Sequence, residues 1–422
     1  MPALSIVIPT HNRAEVLRAT LMALANQTLS VDDFEVIVVA DGCLDGTASV
    51  VRSLGLPFRF HCLDQPPSGA AAARNQGADA ASAPLLLFLD DDMKASPGFL
   101  EAHLGGHSRH RDTVVLGYFA PARGKQSEDI FMEGVNTWWG ERFSEMCKES
   151  HRFAFQDLFS GNVSLSKDLF LRAGRFDERF IGRAGEDFEL AVRLLKHRAR
   201  FRFIRAAACV HHDIPTLESF VGRAFAEGRG HVLIAKKHPE TFPALPLSKA
   251  VGGGPWISVG WGFRLRPWTV HRIKGLLLAF LKTARIMKAR RLLTRFLRLV
   301  QYCAYWRGVL HELITKAALQ RFLQDMPLKP SEFVQLEVDL ETDLERIEEI
   351  LTAHPTDAVG LLYGEKPIGY IPAQPAAEPL RSEHLIPAII HGYATKFLMA
   401  LRSGNPLDMR ISMGLRVKQR EP

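Results

Sequence analysis

Apolar residues fall into two alternating rhythms from the N-terminus onward. Short unbroken runs predict strands buried on both faces: Leu4 to Ile8, Phe34 to Ala40, a weaker Phe58 to Leu63, and Leu85 to Leu89. Between them, Val16, Leu17, Leu21 and Leu24 recur at helical spacing, Asp45-Gly46-Thr47 marks a helix start, and an alanine-rich helix from Gly69 to Ala80 carries Arg74 and Asn75. This alternation predicts parallel βαβ units in a doubly wound sheet. Polar residues then gather at the carboxyl edge, where open α/β sheets bind ligands. They are Thr10, Asn12 and Arg13 after the first strand, Asp41 after the second, and Asp90, Asp91 and Asp92 after the fourth.

The three adjacent aspartates repel one another, and an oxygen-preferring divalent cation relieves that repulsion. A solvated turn is the plainer alternative. In an extended chain Asp90 and Asp92 share a face while Asp91 points elsewhere. No GxGxxG follows any of these strands, which argues against a dinucleotide and leaves a mononucleotide site open.

Further along, Val114 to Phe119 reads as a strand, and Trp138-Trp139 reads as a packing site more readily than as an acceptor wall. Ser160 to Leu165 is a small-residue turn leading into a strand. The helical pattern over Gly182 to Leu195 puts Glu186 and Asp187 in a first turn, where the helix dipole alone favours acids. Phe201 to Ile204 and Ala206 to Val210 predict an edge strand ending in His211-His212-Asp213, a source of one imidazole for a metal or a merely solvated pair. A helix from Thr216 to about Lys237 follows.

With 422 residues, 47% apolar and 23% charged, the chain is of ordinary globular composition. Its start is too short and uncharged for a secretory signal, and no apolar run has transmembrane length. The five cysteines form no CxxC pair and fit a reducing, cytosolic setting. The net charge of +7 matters less than its distribution, since no acid lies between Glu240 and Glu312. There Ile273, Leu277, Phe280, Ala284, Met287, Leu292, Phe296 and Leu299 form a stripe flanked by lysines and arginines, near Trp256, Trp261 and Trp268. Such a basic amphipathic segment predicts peripheral contact with anionic membrane through residues 256–300, at the inner face; packing on the preceding domain is the alternative. Aromatic and basic positions are not interleaved, so no nucleic acid partner is expected. From Ser331 the pattern is strand, helix, hairpin and a helix from Glu383 to Leu401, with a disordered tail after Ser403. The expected division is therefore 1–236, a helical 237–330, and a small α+β unit 331–422.

Five segments, Ser5 to Arg13, Val39 to Gly42, Ala73 to Gly77, Phe88 to Asp92 and Gly185 to Leu190, together resemble family 2 glycosyltransferases over roughly residues 3–230. The resemblance implies a GT-A fold, a Rossmann-like, mostly parallel sheet that binds a nucleotide-diphosphate-sugar. It implies a metal-dependent, inverting transfer to a glycan, lipid-linked or protein hydroxyl, with Mn²⁺ or Mg²⁺. It places Pro9, Thr10, Asn12, Arg13, Asp41, Arg74, Asp90 and Asp91 around the nucleotide-sugar, and Asp90, Asp92 and either His211 or His212 at the metal. Asp187 matches the catalytic base, with Gly161, Asn162 and Glu186 on the acceptor side. A sugar nucleotidyltransferase and a non-catalytic sugar-nucleotide scaffold are the competing readings.

Overall fold

The computed structural model describes residues 1–107, 112–121, 130–148, 150–212, 216–250, 290–327, 334–342 and 344–402. The predicted alternation is present: β1 (Leu4–Thr10), α1 (Ala14–Leu24), β2 (Phe34–Asp41), α2 (Thr47–Arg52), β3 (Arg59–Gln65), α3 (Ala70–Ala80) and β4 (Leu85–Leu89). After β4 come the three-residue β5 (Met93–Ala95), α4 (Phe99–Gly106), β6 (Thr113–Pro121), α5 (Ile130–Met146), β7 (Asn162–Ser166), α6 (Lys167–Arg172), α7 (Glu186–Lys196), β8 (Arg200–His211) and α8 (Leu217–Lys237).

These eight strands form one sheet in the order β3-β2-β1-β4-β7-β6-β8-β5. The β3-β2-β1-β4 half is parallel; β7 runs antiparallel to both β4 and β6, and β5 antiparallel to β8. Every residue of β2 is buried, as its unbroken apolar run requires. The expected mostly parallel α/β sheet is therefore present. One strand differs from expectation: β8 is not an edge, because β5 covers its last residues through the pairs Met93 with His211 and Ala95 with Cys209. Three residues give too little periodicity to be read from sequence.

α9 (Arg290–Leu313) and α10 (Lys316–Asp325) pack against this domain. Trp306, Val309 and Leu310 of α9 and Leu319 of α10 join the same hydrophobic core as the sheet. The close approach of α8 and α9 depends on glycine. A Cβ on Gly308 would sit 2.0 Å from the Phe225 carbonyl oxygen, and one on Gly228 2.0 Å from that of Tyr305. Glu312 reinforces the contact by accepting from Arg229 Nε at 2.7 Å and Arg183 Nε at 3.2 Å. The described part of the basic segment thus buries an apolar face on protein, and Leu299, expected on the apolar stripe, is 41% exposed. Residues 251–289, including the three tryptophans, lie outside the described residues, as does the tail after Arg402. No described helix is long and apolar enough to cross a membrane.

The remaining chain builds a second core on a three-stranded sheet ordered β11-β10-β9, from β9 (Gln335–Asp339), α11 (Leu344–Ala353), β10 (Ala358–Tyr363) and β11 (Lys366–Ile371). The last expected helix is broken into α12 (Ser382–Ala388), a π-helical turn over Ile389–Tyr393, and α13 (Ala394–Arg402). Pro387, inside α12, lacks a backbone donor and crowds the preceding turn, which accounts for the irregularity. This unit grips the segment before β7. Arg152 donates to the carbonyls of Glu378 (2.6 Å) and Asp357 (2.9 Å), and backbone pairs join Glu378 N to Phe153 O (2.8 Å) and Phe155 N to Ala376 O (3.0 Å).

Replacing Gly308 with alanine should overpack the α8/α9 crossing and cost about 1–3 kcal/mol. A clear fall in the thermal or urea midpoint is the expected readout, and an unchanged midpoint would refute the close packing described here.

Candidate active site

Strand β4 ends at Leu89, and the three aspartates form a turn closed by a hydrogen bond from Met93 N to the Asp90 carbonyl at 3.3 Å. The chain is not extended there, so the alternation expected for Asp90, Asp91 and Asp92 does not apply. Asp91 and Asp92 instead share Arg13, which donates from Nη1 to Asp91 at 2.8 Å and from Nη2 to Asp92 at 3.0 Å. Thr10 Oγ1 donates to the other Asp91 oxygen at 2.7 Å, and Thr20 Oγ1 to its carbonyl at 2.7 Å. Asp91 is 5% exposed, and burial pushes its carboxyl up to about 6 against the pull of Thr10 and Arg13. Its carboxylate, assigned to the nucleotide-sugar on sequence, is therefore sealed inside the loop it organises.

At the end of β2, Asp41 accepts from Gln65 Nε2 (2.8 Å), Ser68 N (2.7 Å) and Gly69 N (2.9 Å). These three partners were not anticipated, because two act through backbone groups that carry no sequence signal. Pro9 and Thr10 lie beside Val39 and Ala40 on the paired strands. Asn12, at φ 51°, accepts from Leu44 N at 2.7 Å and ties the two loops together. Pro9, Thr10, Asn12, Arg13 and Asp41 thus border one end of the sheet.

The metal-side pair depends on a bulge. Between Gly117 and Tyr118 the β6/β8 register jumps from Ile204 to Ala208, so Arg205, Ala206 and Ala207 bulge out of β8. The Asn162 amide nitrogen fills the gap, 3.2 Å from the carbonyl oxygens of Tyr118 and Ala207, and its oxygen lies 2.8 Å from His103 Nε2. Gly117 leaves room for it, since a Cβ there would fall 2.2 Å from the amide nitrogen. Bulges re-aim the residues that follow them. Beyond this one, β8 pairs with β5 and brings His211 Nε2 to 3.3 Å from Asp92 Oδ1. Asn162, assigned to the acceptor side on sequence, is 2% exposed with its amide engaged inside the sheet. The bulge that needs it is a long-range feature invisible in the local pattern. His212 is exposed and meets Asp92 through its backbone, its N donating to the Asp92 carbonyl at 2.9 Å.

The start of α7 is linked to the aspartate turn through Arg74. Arg74, 4% exposed on α3, donates from Nη2 to Asp90 at 2.8 Å and from Nη1 to Glu186 at 3.1 Å, with Phe176 below its guanidinium at 5.4 Å. Asp90 and Glu186, from distant parts of the chain, are thereby joined by one side chain. Gly161 carries no Cβ against Asp90, where one would lie 2.3 Å from Oδ2, and its carbonyl accepts from Asp90 N at 3.1 Å. Asp187 follows Glu186 in the first turn. Burial, and then the neighbouring Glu186 charge, push its carboxyl up to about 8, outweighing the hydrogen bond from Phe188 N and the attraction of Arg74. The lowering expected from the helix N-terminus is overridden.

The site fits a divalent cation through two groups. The buried Asp92 Oδ1 pairs with His211 Nε2 at 3.3 Å, a separation that two ligands of one cation also tolerate. Asp90 faces Arg74 instead. Among the described residues no third side chain joins to make a closed metal cage. Two such groups leave most coordination positions of a divalent cation open.

The chain is similar to known proteins over its N-terminal half. The family model described as Glycosyl transferase family 2 matches residues 5–171 of the chain. A validoxylamine A glucosyltransferase of Streptomyces hygroscopicus subsp. jinggangensis is 38% identical over 220 residues, covering 47% of this chain and 52% of that protein. A chondroitin synthase of Escherichia coli is 29% identical over 268 residues, covering 56% of this chain and 38% of the synthase. The chain spans about half the length of the first, and less of the second. Among solved structures, a mannosyltransferase from Pyrobaculum calidifontis in complex with GDP-Man and Mn²⁺ aligns with TM-score 0.46 and 17% identity, over 72% of this chain and 88% of that one.

Replacing Asn162 with alanine should leave the Tyr118 and Ala207 carbonyls buried without this donor, at a cost of about 1–3 kcal/mol. Equilibrium denaturation reads this directly, and wild-type stability in the variant would contradict the bulge-filling role.

Proposed function

We propose that the chain is a metal-dependent, inverting glycosyltransferase that moves a sugar from a nucleoside-diphosphate donor to an acceptor hydroxyl. The observation that carries the reading is Arg74, which places the Asp90 turn and the Glu186-Asp187 helix start on two sides of one buried guanidinium. Arg74 Nε is buried without a hydrogen-bond partner, so the guanidinium has donor capacity beyond its two carboxylates. Relatives named as a glucosyltransferase and a chondroitin synthase support the same class.

In this reading Pro9, Thr10, Asn12, Arg13 and Asp41 border the nucleotide, and Arg74 faces the diphosphate. A cation held by Asp92 and His211 would supply compensation for the negative charge on the leaving diphosphate. Asp187 takes the proton from the acceptor hydroxyl, whose oxygen then attacks the anomeric carbon from the side opposite the departing phosphate. A carboxyl at about 8 is well matched to that task near neutral pH. Glu186, tied to Arg74, holds the start of α7 in place and keeps the Asp187 proton affinity high.

Incubation with a panel of sugar nucleotides and Mn²⁺ should release nucleoside diphosphate from one donor, and chelation by EDTA should abolish the release. Pyrophosphate release instead would identify a nucleotidyltransferase, and no turnover of any donor would favour a binding scaffold. Asp187→Asn should lower transfer by about a hundredfold to ten-thousandfold while leaving nucleotide binding nearly intact. Retention of more than about a tenth of wild-type turnover, under ~1.4 kcal/mol, would remove it as the base. Because only the ionised form accepts a proton and the carboxyl is raised, kcat/KM should climb with pH and level off above about 8. A profile flat from pH 5 upward would show the base already ionised.

Peripheral contact with anionic membrane through residues 256–300, at the inner face, is the second part of the proposal. It rests on the acid-free, basic composition of that segment. Co-sedimentation with phosphatidylserine-containing vesicles at low salt is expected, and its absence would leave the packed role of α9 as the segment's explanation.

A further inference from the structure

One fully buried imidazole takes no part in the chemistry above. His103 of α4 packs edge-on against the Phe99 ring at 4.7 Å, and both of its nitrogens are engaged on β7. Nε2 lies 2.8 Å from Asn162 Oδ1, and Nδ1 lies 2.8 Å from Ser164 Oγ. Asn162 and Ser164, two apart on the strand, share one face of it. A leucine would fill the same space without taking two polar nitrogens out of water, so the reason for an imidazole lies in its hydrogen bonds.

Those bonds run in one direction. The Tyr118 and Ala207 carbonyls only accept, so the Asn162 nitrogen faces them, at 3.2 Å each, and its oxygen faces His103. Oδ1 in turn only accepts, which puts the His103 proton on Nε2 and leaves Nδ1 bare. The Ser164 hydroxyl then donates to Nδ1, and its oxygen accepts from His107 Nε2 at 2.8 Å. Burial pushes the His103 imidazole down to about 3, so the neutral ring that this pattern requires is the form present near neutral pH.

Turned over, the amide would set its oxygen against two carbonyl oxygens, and the β8 bulge would lose the group that fills it. The His103 proton holds the amide in the productive orientation. Directly beyond the bulge the strand pairs again with β6, from Ala208 with Tyr118 to His211 with Pro121. We propose that His103 is a positioning residue for the metal-side histidine: through the Asn162 amide it fixes the β8 bulge, and with it the place where His211 meets Asp92. This rests on the cation site of the glycosyltransferase reading and extends it to a residue of a separate helix. His103 acts only through Asn162 and the strand.

The test titrates Mn²⁺, alone and then with UDP or GDP present, into the full-length chain and reads free ion by electron paramagnetic resonance, well below the melting midpoint of each variant. His211→Ala should weaken binding and so locate the ion. His103→Leu should weaken it by at least about fivefold, and His103→Gln, whose amide nitrogen can still donate to Asn162 Oδ1, should largely restore it. A role in stability alone would lower the melting midpoint and leave the affinity of the folded protein unchanged. Wild-type affinity in folded His103→Leu would therefore overturn the positioning role while leaving the cation site standing. No Mn²⁺ binding by the wild type, or equal binding by His211→Ala, would defeat the cation site and the positioning role together. A second measurement is made on the wild-type chain itself. Nitrogen NMR with labelled histidine should show His103, identified by the signals missing in His103→Gln, as the Nε2–H tautomer. An Nδ1–H ring would leave Asn162 Oδ1 without its donor and overturn the proposal.

Discussion

A single buried guanidinium organises the candidate site. Arg74 is almost wholly enclosed yet donates to carboxylates from two distant parts of the chain, Asp90 in the β4 turn and Glu186 at the head of α7. A charge in such a place is tolerated only while paired, and removing one partner leaves an uncompensated ion. The pairing therefore constrains the two halves of the site together. Asp187 inherits its position from this constraint and its raised proton affinity from burial and from Glu186. The helix that presents it is anchored from beneath by Glu189, fully buried and bonded to Arg193 and His238.

Much of this architecture is legible from residue order. The unbroken apolar runs of β1, β2 and β4 are recognisable because a strand covered on both faces leaves little room for polar side chains. The acids at their ends mark the carboxyl edge for the same reason: a core does not admit them unpaired. Legibility fails where geometry depends on contacts far apart in sequence. The Asp90 turn replaces an extended chain because Thr10, Arg13 and Thr20 hold Asp91 from another segment. Asn162 looks like a loop residue at a strand start, but the β8 bulge gives its amide a place inside the sheet. The separation of His211 from His212 follows from β5, three residues long and silent in any periodicity.

The rest of the chain acts on the site at one remove. α9 approaches α8 at glycine contacts and ties Glu312 to Arg183 and Arg229, just before the Gly185-Glu186-Asp187 turn and inside α8 respectively. The C-terminal unit holds residues 152–155 through Arg152 and the Glu378 backbone. Both accessory elements thus brace segments next to the candidate site, one just before the α7 turn and the other just before β7. Sequence reading treated them as separate from catalysis because neither carries a reactive constellation of its own.

The central claim is that the leaving group and the proton acceptor face the reacting carbon from opposite sides. The stereochemistry of the product tests this most directly. Once a donor and acceptor are identified, proton NMR of the purified product reports the anomeric configuration through its coupling constant. An α-linked donor should give a β-linked product. Retention of the α configuration would mean that Asp187 and the Asp92–His211 pair do not flank the carbon as described.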